Sequence, residues 1–135
     1  MPVYLGRAIT AFSLILISVY IWVASEEFPA NGHQLPQLIE QIWRILQDTT
    51  ENIANGKPTI IIVHCEQGTD RTGEVLGSYK MRYQSQSFPA MFLENSQIMN
   101  RHITRENSIA MRWYCYYLQN VLLLSSAILN CDVPI

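Results

Sequence analysis

The sequence predicts a single α/β domain of three layers, with a short parallel sheet and a helical C-terminal half. The β-branched run 59–63 (Thr-Ile-Ile-Ile-Val) is typical of a short buried strand. It leads into a polar loop and then into a segment, 72–83, that predicts a helix. Apolar residues continue at helical spacing through most of the remaining chain. The 135 residues suffice for one domain, and a hydrophobic fraction of 49% suffices for a core.

The first apolar segment, 8–25, has three competing interpretations. A basic start, an apolar middle and the small residues Ala24 and Ser25 fit a secretory signal peptide. A membrane anchor fits the length marginally, since about 20 apolar residues are needed to span a bilayer. The β-branched and aromatic stretch 14–23 fits a buried strand, which the sheet needs beside 59–63. The localisation therefore stays open between the cytoplasm and a secretory or membrane-associated place.

The other elements follow from periodicity and turn signals. Residues 26–36 contain prolines and a glycine and predict a loop, and Asn55-Gly56 predicts a turn within the polar stretch 49–58. A helix is predicted over 37–46, where apolar residues recur at helical spacing. Further helices are predicted over 72–83 after the polar loop, over 88–99, and from Glu106 or Asn107 toward Leu129.

Composition excludes several classes of function. A net charge of −2 without a basic run gives no sign of nucleic-acid binding. The three histidines are scattered and the three cysteines lack metal-ligand spacing, so no metal site and no cofactor are expected. Cys115 and Cys131 would pair as a disulfide in an oxidising compartment or stay free in the cytosol, and one of them could be a redox partner of Cys65.

The segment 64–74, between the predicted strand and helix, carries the chemistry of the chain. A cysteine attacks only as thiolate, and backbone N–H groups at the start of a helix stabilise negative charge there. Cys65 holds such a position. The same N–H groups can bind phosphoryl oxygens, and Gly68 and Gly73 provide the backbone freedom and close approach that this needs.

Three further side chains suit a phosphate-binding loop with a reactive cysteine. Arg71 supplies a planar fork that matches two phosphoryl oxygens. The hydroxyl of Thr72 can donate to the sulfur and make Cys65 a better leaving group. The imidazole of His64 can hold the loop by hydrogen bonds to the backbone.

This segment resembles the signature of the cysteine-based protein tyrosine phosphatase superfamily, in its dual-specificity-like branch. The pattern HC-x5-R-T is met by His64, Cys65, Arg71 and Thr72. The sequence 70–73 (Asp-Arg-Thr-Gly) is similar to that of atypical, often lipid-directed, members. The specific match covers about residues 58–83.

The resemblance implies a phosphatase-like domain that hydrolyses phosphate monoesters through a phosphocysteine intermediate. Cys65 would be the nucleophile, Arg71 the phosphate clamp and Thr72 the stabiliser of the thiolate. The residues that would line the phosphate site with Arg71 are Glu66, Gln67, Gly68, Thr69 and Asp70. Only 64 residues precede the nucleophile, so either the chain is truncated at its N-terminus or the sheet is reduced.

The family's general acid, an Asp some 30–40 residues before the cysteine, has no direct counterpart. Glu26 and Glu27 lie at this distance and are the candidate acids, with His33 as a third. Without an acid the domain would be a catalytically impaired phosphate-binding module, which is the main alternative. A sulfur-transfer or arsenate-reducing enzyme is a further one, against which Arg71 and Thr72 argue.

The loop itself is acidic. Glu66 and Asp70 flank the nucleophile, and Thr69 stands where some lipid-directed relatives have Lys. We therefore expect a phosphorylated protein or a small singly phosphorylated substrate rather than a polyphosphoinositide. Asp70 has two interpretations, a contact with substrate or a structural bond to Arg71 or a nearby backbone amide.

Overall fold

The computed structural model describes residues 15–17, 35–47 and 59–134. Helices account for most of these residues. The elements in chain order are β1 (Ile15–Ile17), α1 (Leu35–Gln47), β2 (Thr59–Ile61), α2 (Asp70–Tyr83), α3 (Phe88–Ile98), α4 (Arg105–Asn120) and α5 (Ser126–Leu129).

The prediction of a three-layer α/β domain is wrong, because the described part of the chain is mostly helical. Its only β structure is one parallel pair of three-residue strands, in which Ile15 lies opposite Thr59 and Ile17 opposite Ile61. The predicted strand 59–63 ends at Ile61, and Ile62 is exposed. A sheet layer needs several strands of about five residues, so this pair cannot separate two layers of helices.

The structure describes only a short part of the apolar segment 8–25. Three residues of the stretch 14–23 form β1, and the rest of 8–25 lies outside the described residues. Among the residues that are described, no helix is long and apolar enough to cross a membrane.

The core is built by helices packing on helices, with α2 at its centre in contact with α1, α3 and α4. The buried face of α1 repeats every three or four residues, at Leu35, Ile39, Ile42 and Leu46, as an amphipathic helix requires. Trp43 of α1 stacks on Tyr83 at the end of α2, with ring centroids 4.2 Å apart.

Two glycines let α2 approach its neighbours closely. A Cβ at Gly73 would lie 2.7 Å from the side chain of Asn95 in α3, and a Cβ at Gly77 would lie 2.4 Å from Met111 Sδ in α4. Since real side chains do not tolerate such distances, α2 is fixed against both helices by close packing. This fixes the position of the N-terminus of α2, where the candidate site lies.

The last predicted helix is shorter than expected. It ends at Asn120, and the chain turns through Leu123, which has a positive φ of 56°, before α5 begins. The turn brings Cys131 back to α4, where it forms a disulfide with Cys115. Arg112 also donates to the Val133 carbonyl at 2.8 Å. The disulfide, one of three interpretations of these cysteines, is therefore the one that the structure has, and Cys65 is free.

Candidate functional site

The thiol of Cys65 lies between the end of β2 and the start of α2, and it is partly buried. Burial raises the pKa of Cys65, but the Thr72 hydroxyl and the backbone N–H groups of Thr72, Gly68 and Gln67 outweigh this effect, so the pKa is lowered overall. The sulfur therefore occupies a site built to hold negative charge, which favours the reactive thiolate.

The local conformation of the loop makes backbone N–H groups available to an anion. Gly68 has a φ of +69°, a left-handed conformation that residues with a Cβ rarely adopt. Immediately after it, Thr69 is completely buried and precedes α2 as its N-cap. The first turn of a helix leaves its N–H groups without intrahelical partners. They are thus available to an anion in the loop.

Thr72 lies in this first turn with its side chain buried. Its hydroxyl makes no hydrogen bond of ordinary geometry within the described part of the chain. It nevertheless lowers the pKa of the Cys65 thiol. The role of Thr72 as stabiliser of the thiolate stays a prediction. Arg71 is the second residue of α2 and is half-buried, so Cys65, Arg71 and Thr72 meet at one loop–helix junction.

Asp70 is bonded to the linker between α3 and α4. Its two carboxylate oxygens accept hydrogen bonds from the Arg101 guanidinium at 2.9 and 2.8 Å, and Oδ1 also accepts from the Thr104 backbone N–H at 2.9 Å. These contacts, with the Arg101 bonds as the largest cause, lower the pKa of Asp70 against a smaller effect of burial. Asp70 is therefore ionised and committed to protein partners, which favours the structural interpretation of this residue.

The sequence did not point to Arg101, which lies between α3 and α4 and outside the signature motif. Its guanidinium also donates to Gln67 Oε1 at 2.9 Å and to the His102 carbonyl at 3.0 Å. Gln67 and Asp70 lie 34 and 31 residues away along the chain, so no local pattern points to these contacts.

A second residue that was missed is Glu74, one turn into α2. It is buried, and burial raises its pKa to about 7 against the opposing effect of a hydrogen bond from Asn107. Asn107 Nδ2 donates to Glu74 Oε2 at 2.5 Å, while Glu74 Oε1 has no partner among the described residues. The signal in the sequence was an acidic residue inside an otherwise buried helix.

The remaining predicted residues are distributed as follows. Glu66 and His64 are exposed, and the role of the His64 imidazole stays a prediction. The side chain of Thr69 is fully buried, so only its backbone could face a phosphate. The candidate acids, Glu26, Glu27 and His33, lie outside the described residues.

Within the described ranges, no three His, Cys, Asp or Glu side chains are grouped so that they could hold a metal ion. Comparisons of the chain with protein-family models, with curated proteins and with solved structures found no match. The resemblance to the phosphatase superfamily therefore rests on the loop and its flanking residues.

Proposed function

We propose that this protein hydrolyses phosphate monoesters, with Cys65 as the nucleophile. The observation that carries the proposal is the position of Cys65 in the loop before α2, where the backbone N–H groups of Gln67, Gly68 and Thr72 and the Thr72 hydroxyl lower the pKa of the thiol. The same groups also suit the negatively charged oxygens of the phosphoryl group that the thiolate attacks.

In the first step the thiolate attacks phosphorus, a sulfur–phosphorus bond forms, and the bond from phosphorus to the leaving oxygen breaks. The leaving oxygen takes a proton from an acid or from water. Arg71 and the N–H groups of the loop hold the other three oxygens. In the second step water attacks phosphorus, inorganic phosphate forms, and the Cys65 thiolate departs with the Thr72 hydroxyl stabilising its charge.

The substrate class is a phosphotyrosine or another singly phosphorylated group, on a protein or a small molecule. The second candidate function, a phosphate-binding module without turnover, is favoured by one observation. Asp70 is ionised and bonded to Arg101, so it has no proton to donate, and the carboxyl group of Glu74 is buried away from solvent. The choice depends on whether a carboxyl group elsewhere reaches the loop.

The experiment is hydrolysis of p-nitrophenyl phosphate by the whole chain and by Cys65→Ser. We expect the variant to lose turnover completely and to keep binding inorganic phosphate, since the N–H groups and Arg71 remain. Arg71→Lys should lose most phosphate affinity because the planar fork is gone, while Arg105→Lys on the exposed start of α4 is the matched control. Turnover that survives Cys65→Ser refutes the nucleophile assignment.

A series of aryl and alkyl phosphates separates the two candidate functions. An enzyme with a general acid hydrolyses esters of poor leaving groups almost as well as esters of good ones, because the acid neutralises the departing oxygen. Hydrolysis of the good leaving groups alone indicates that the chain lacks the acid. Absence of turnover with retained phosphate binding supports the binding module.

A further inference from the structure

We propose that Arg101 is a positioning residue that holds the Cys65 loop in its anion-binding shape through Asp70 and Gln67. This role rests on the proposed function, because it concerns the loop that would bind the phosphoryl group. The contacts that carry it lie outside the signature motif and join the loop to the linker 99–104.

The first argument is where the contacts fall. Gln67 is the residue immediately before Gly68, and Asp70 is two residues after it. Arg101 donates to both side chains, with Nη2 shared between Gln67 Oε1 at 2.9 Å and Asp70 Oδ2 at 2.8 Å. One guanidinium therefore bonds to side chains on both sides of Gly68, the left-handed residue of the loop, and the N–H groups of Gln67 and Gly68 lower the pKa of the Cys65 thiol.

The second argument is that Arg101 is engaged by the protein itself. Its two terminal nitrogens make four hydrogen bonds, to both oxygens of Asp70, to Gln67 and to the His102 carbonyl. A guanidinium has five N–H donors, so little capacity remains for a substrate phosphate. Arg101 thus serves the loop and leaves phosphate binding to Arg71 and the backbone.

The third argument is that the clamp continues into the helical core. The Thr104 N–H donates to Asp70, its hydroxyl donates to Asn107 Oδ1 at 2.6 Å, and Asn107 donates to Glu74. This chain of hydrogen bonds ties the loop, α2 and the start of α4 together. Rigid support of this kind is what a reactive group needs to stay in its productive geometry.

The test is the pH dependence of Cys65 alkylation by iodoacetamide, measured by mass spectrometry on the non-reduced protein. Cys115 and Cys131 are paired, so Cys65 is the thiol that reacts. Asp70→Asn is the informative variant, because a simple charge effect and the loss of the clamp change the pKa of the Cys65 thiol in different ways. Removing a negative charge near a thiolate lowers the thiol pKa or leaves it unchanged, whereas losing the clamp raises it.

We expect the alkylation midpoint of Asp70→Asn to rise by about one pH unit, which slows alkylation about tenfold well below the midpoint. Arg101→Lys keeps the charge but loses the planar fork, and it should show a similar rise. Arg105→Gln, which removes a neighbouring exposed arginine, should match the wild type. Circular dichroism checks that each variant is folded, and Arg101→Lys carries the test if Asp70→Asn is not.

A midpoint of Asp70→Asn at or below that of the wild type overturns the positioning role, as does a wild-type midpoint in folded Arg101→Lys. Alkylation requires no turnover of a phosphate ester. A chain that hydrolyses no ester but shows these raised midpoints therefore refutes the phosphatase proposal and supports the clamp. A chain that hydrolyses esters and shows no change does the reverse.

Discussion

The buried carboxyl group of Glu74 leads to a prediction about stability. Its pKa rises from an ordinary value of 4.5 to about 7, first because burial disfavours the ionised form. The folded state therefore binds this proton more tightly than the unfolded state does. Below about pH 4.5 the group is neutral in both states and costs no stability. As the pH rises through 7, the folded state must bury an incompletely bonded carboxylate.

The size of the effect follows from the difference between the two pKa values. The raised pKa costs about 3 kcal/mol of stability at high pH, and most of this stability is lost between about pH 5 and 8. Glu74→Gln removes the titration and keeps the shape of the side chain, and its amide oxygen can still accept from Asn107. The variant should therefore become more stable than the wild type as the pH rises.

The assay is urea unfolding of the wild type and of Glu74→Gln at several pH values across this interval. The difference in free energy of unfolding between them should grow by about 2–3 kcal/mol from the acidic to the basic end. Glu106→Gln, at an exposed position of α4, controls for the loss of one negative charge. A difference between wild type and Glu74→Gln that stays constant with pH refutes the reasoning.

Two more predictions concern the helical scaffold. Replacing Cys115 and Cys131 by Ala should lower the free energy of unfolding by about 3 kcal/mol, the value for a loop of this length, and should abolish any effect of reductant on the urea midpoint. The disulfide is contradicted if the variant has the urea midpoint of the wild type and reductant leaves the wild-type midpoint unchanged. Gly73→Ala should lower the melting temperature, at a cost of about 1–3 kcal/mol, because the added Cβ meets the buried side chain of Asn95. An equal or higher melting temperature would show that Asn95 moves aside freely.

Local patterns predicted the helices well and the fold class poorly. The apolar spacing that predicts a helix over 37–46 depends on neighbours three and four residues apart, and α1 contains this range. The helix predicted over 72–83 after the loop lies within α2. The run 59–63 is equally apolar, but a strand becomes part of a layer only when other strands pair with it. That property is not encoded in five residues, so the inference from one strand to a three-layer domain failed.

In the candidate site, too, relations between residues close in sequence could be predicted, and contacts with distant residues could not. Cys65, Gly68 and Thr72 are close in sequence, and their relation follows from a loop that opens a helix. The partners of Asp70 are 31 and 34 residues away. Nothing near Asp70 distinguishes a residue that meets substrate from one that meets Arg101, so the sequence left both interpretations open.

The charges of the loop bear on the substrate. In sequence the loop carries Glu66 and Asp70 against Arg71, a balance unfavourable to a phosphate dianion. Arg101 changes this balance, because its bidentate bond to Asp70 compensates one negative charge without presenting a free cation. In the proposed function Arg71 and the backbone N–H groups bind one phosphoryl group, and Glu66 is an exposed acidic residue of the same loop. This distribution supports a substrate with a single phosphate, since a second one near Glu66 would meet like charge.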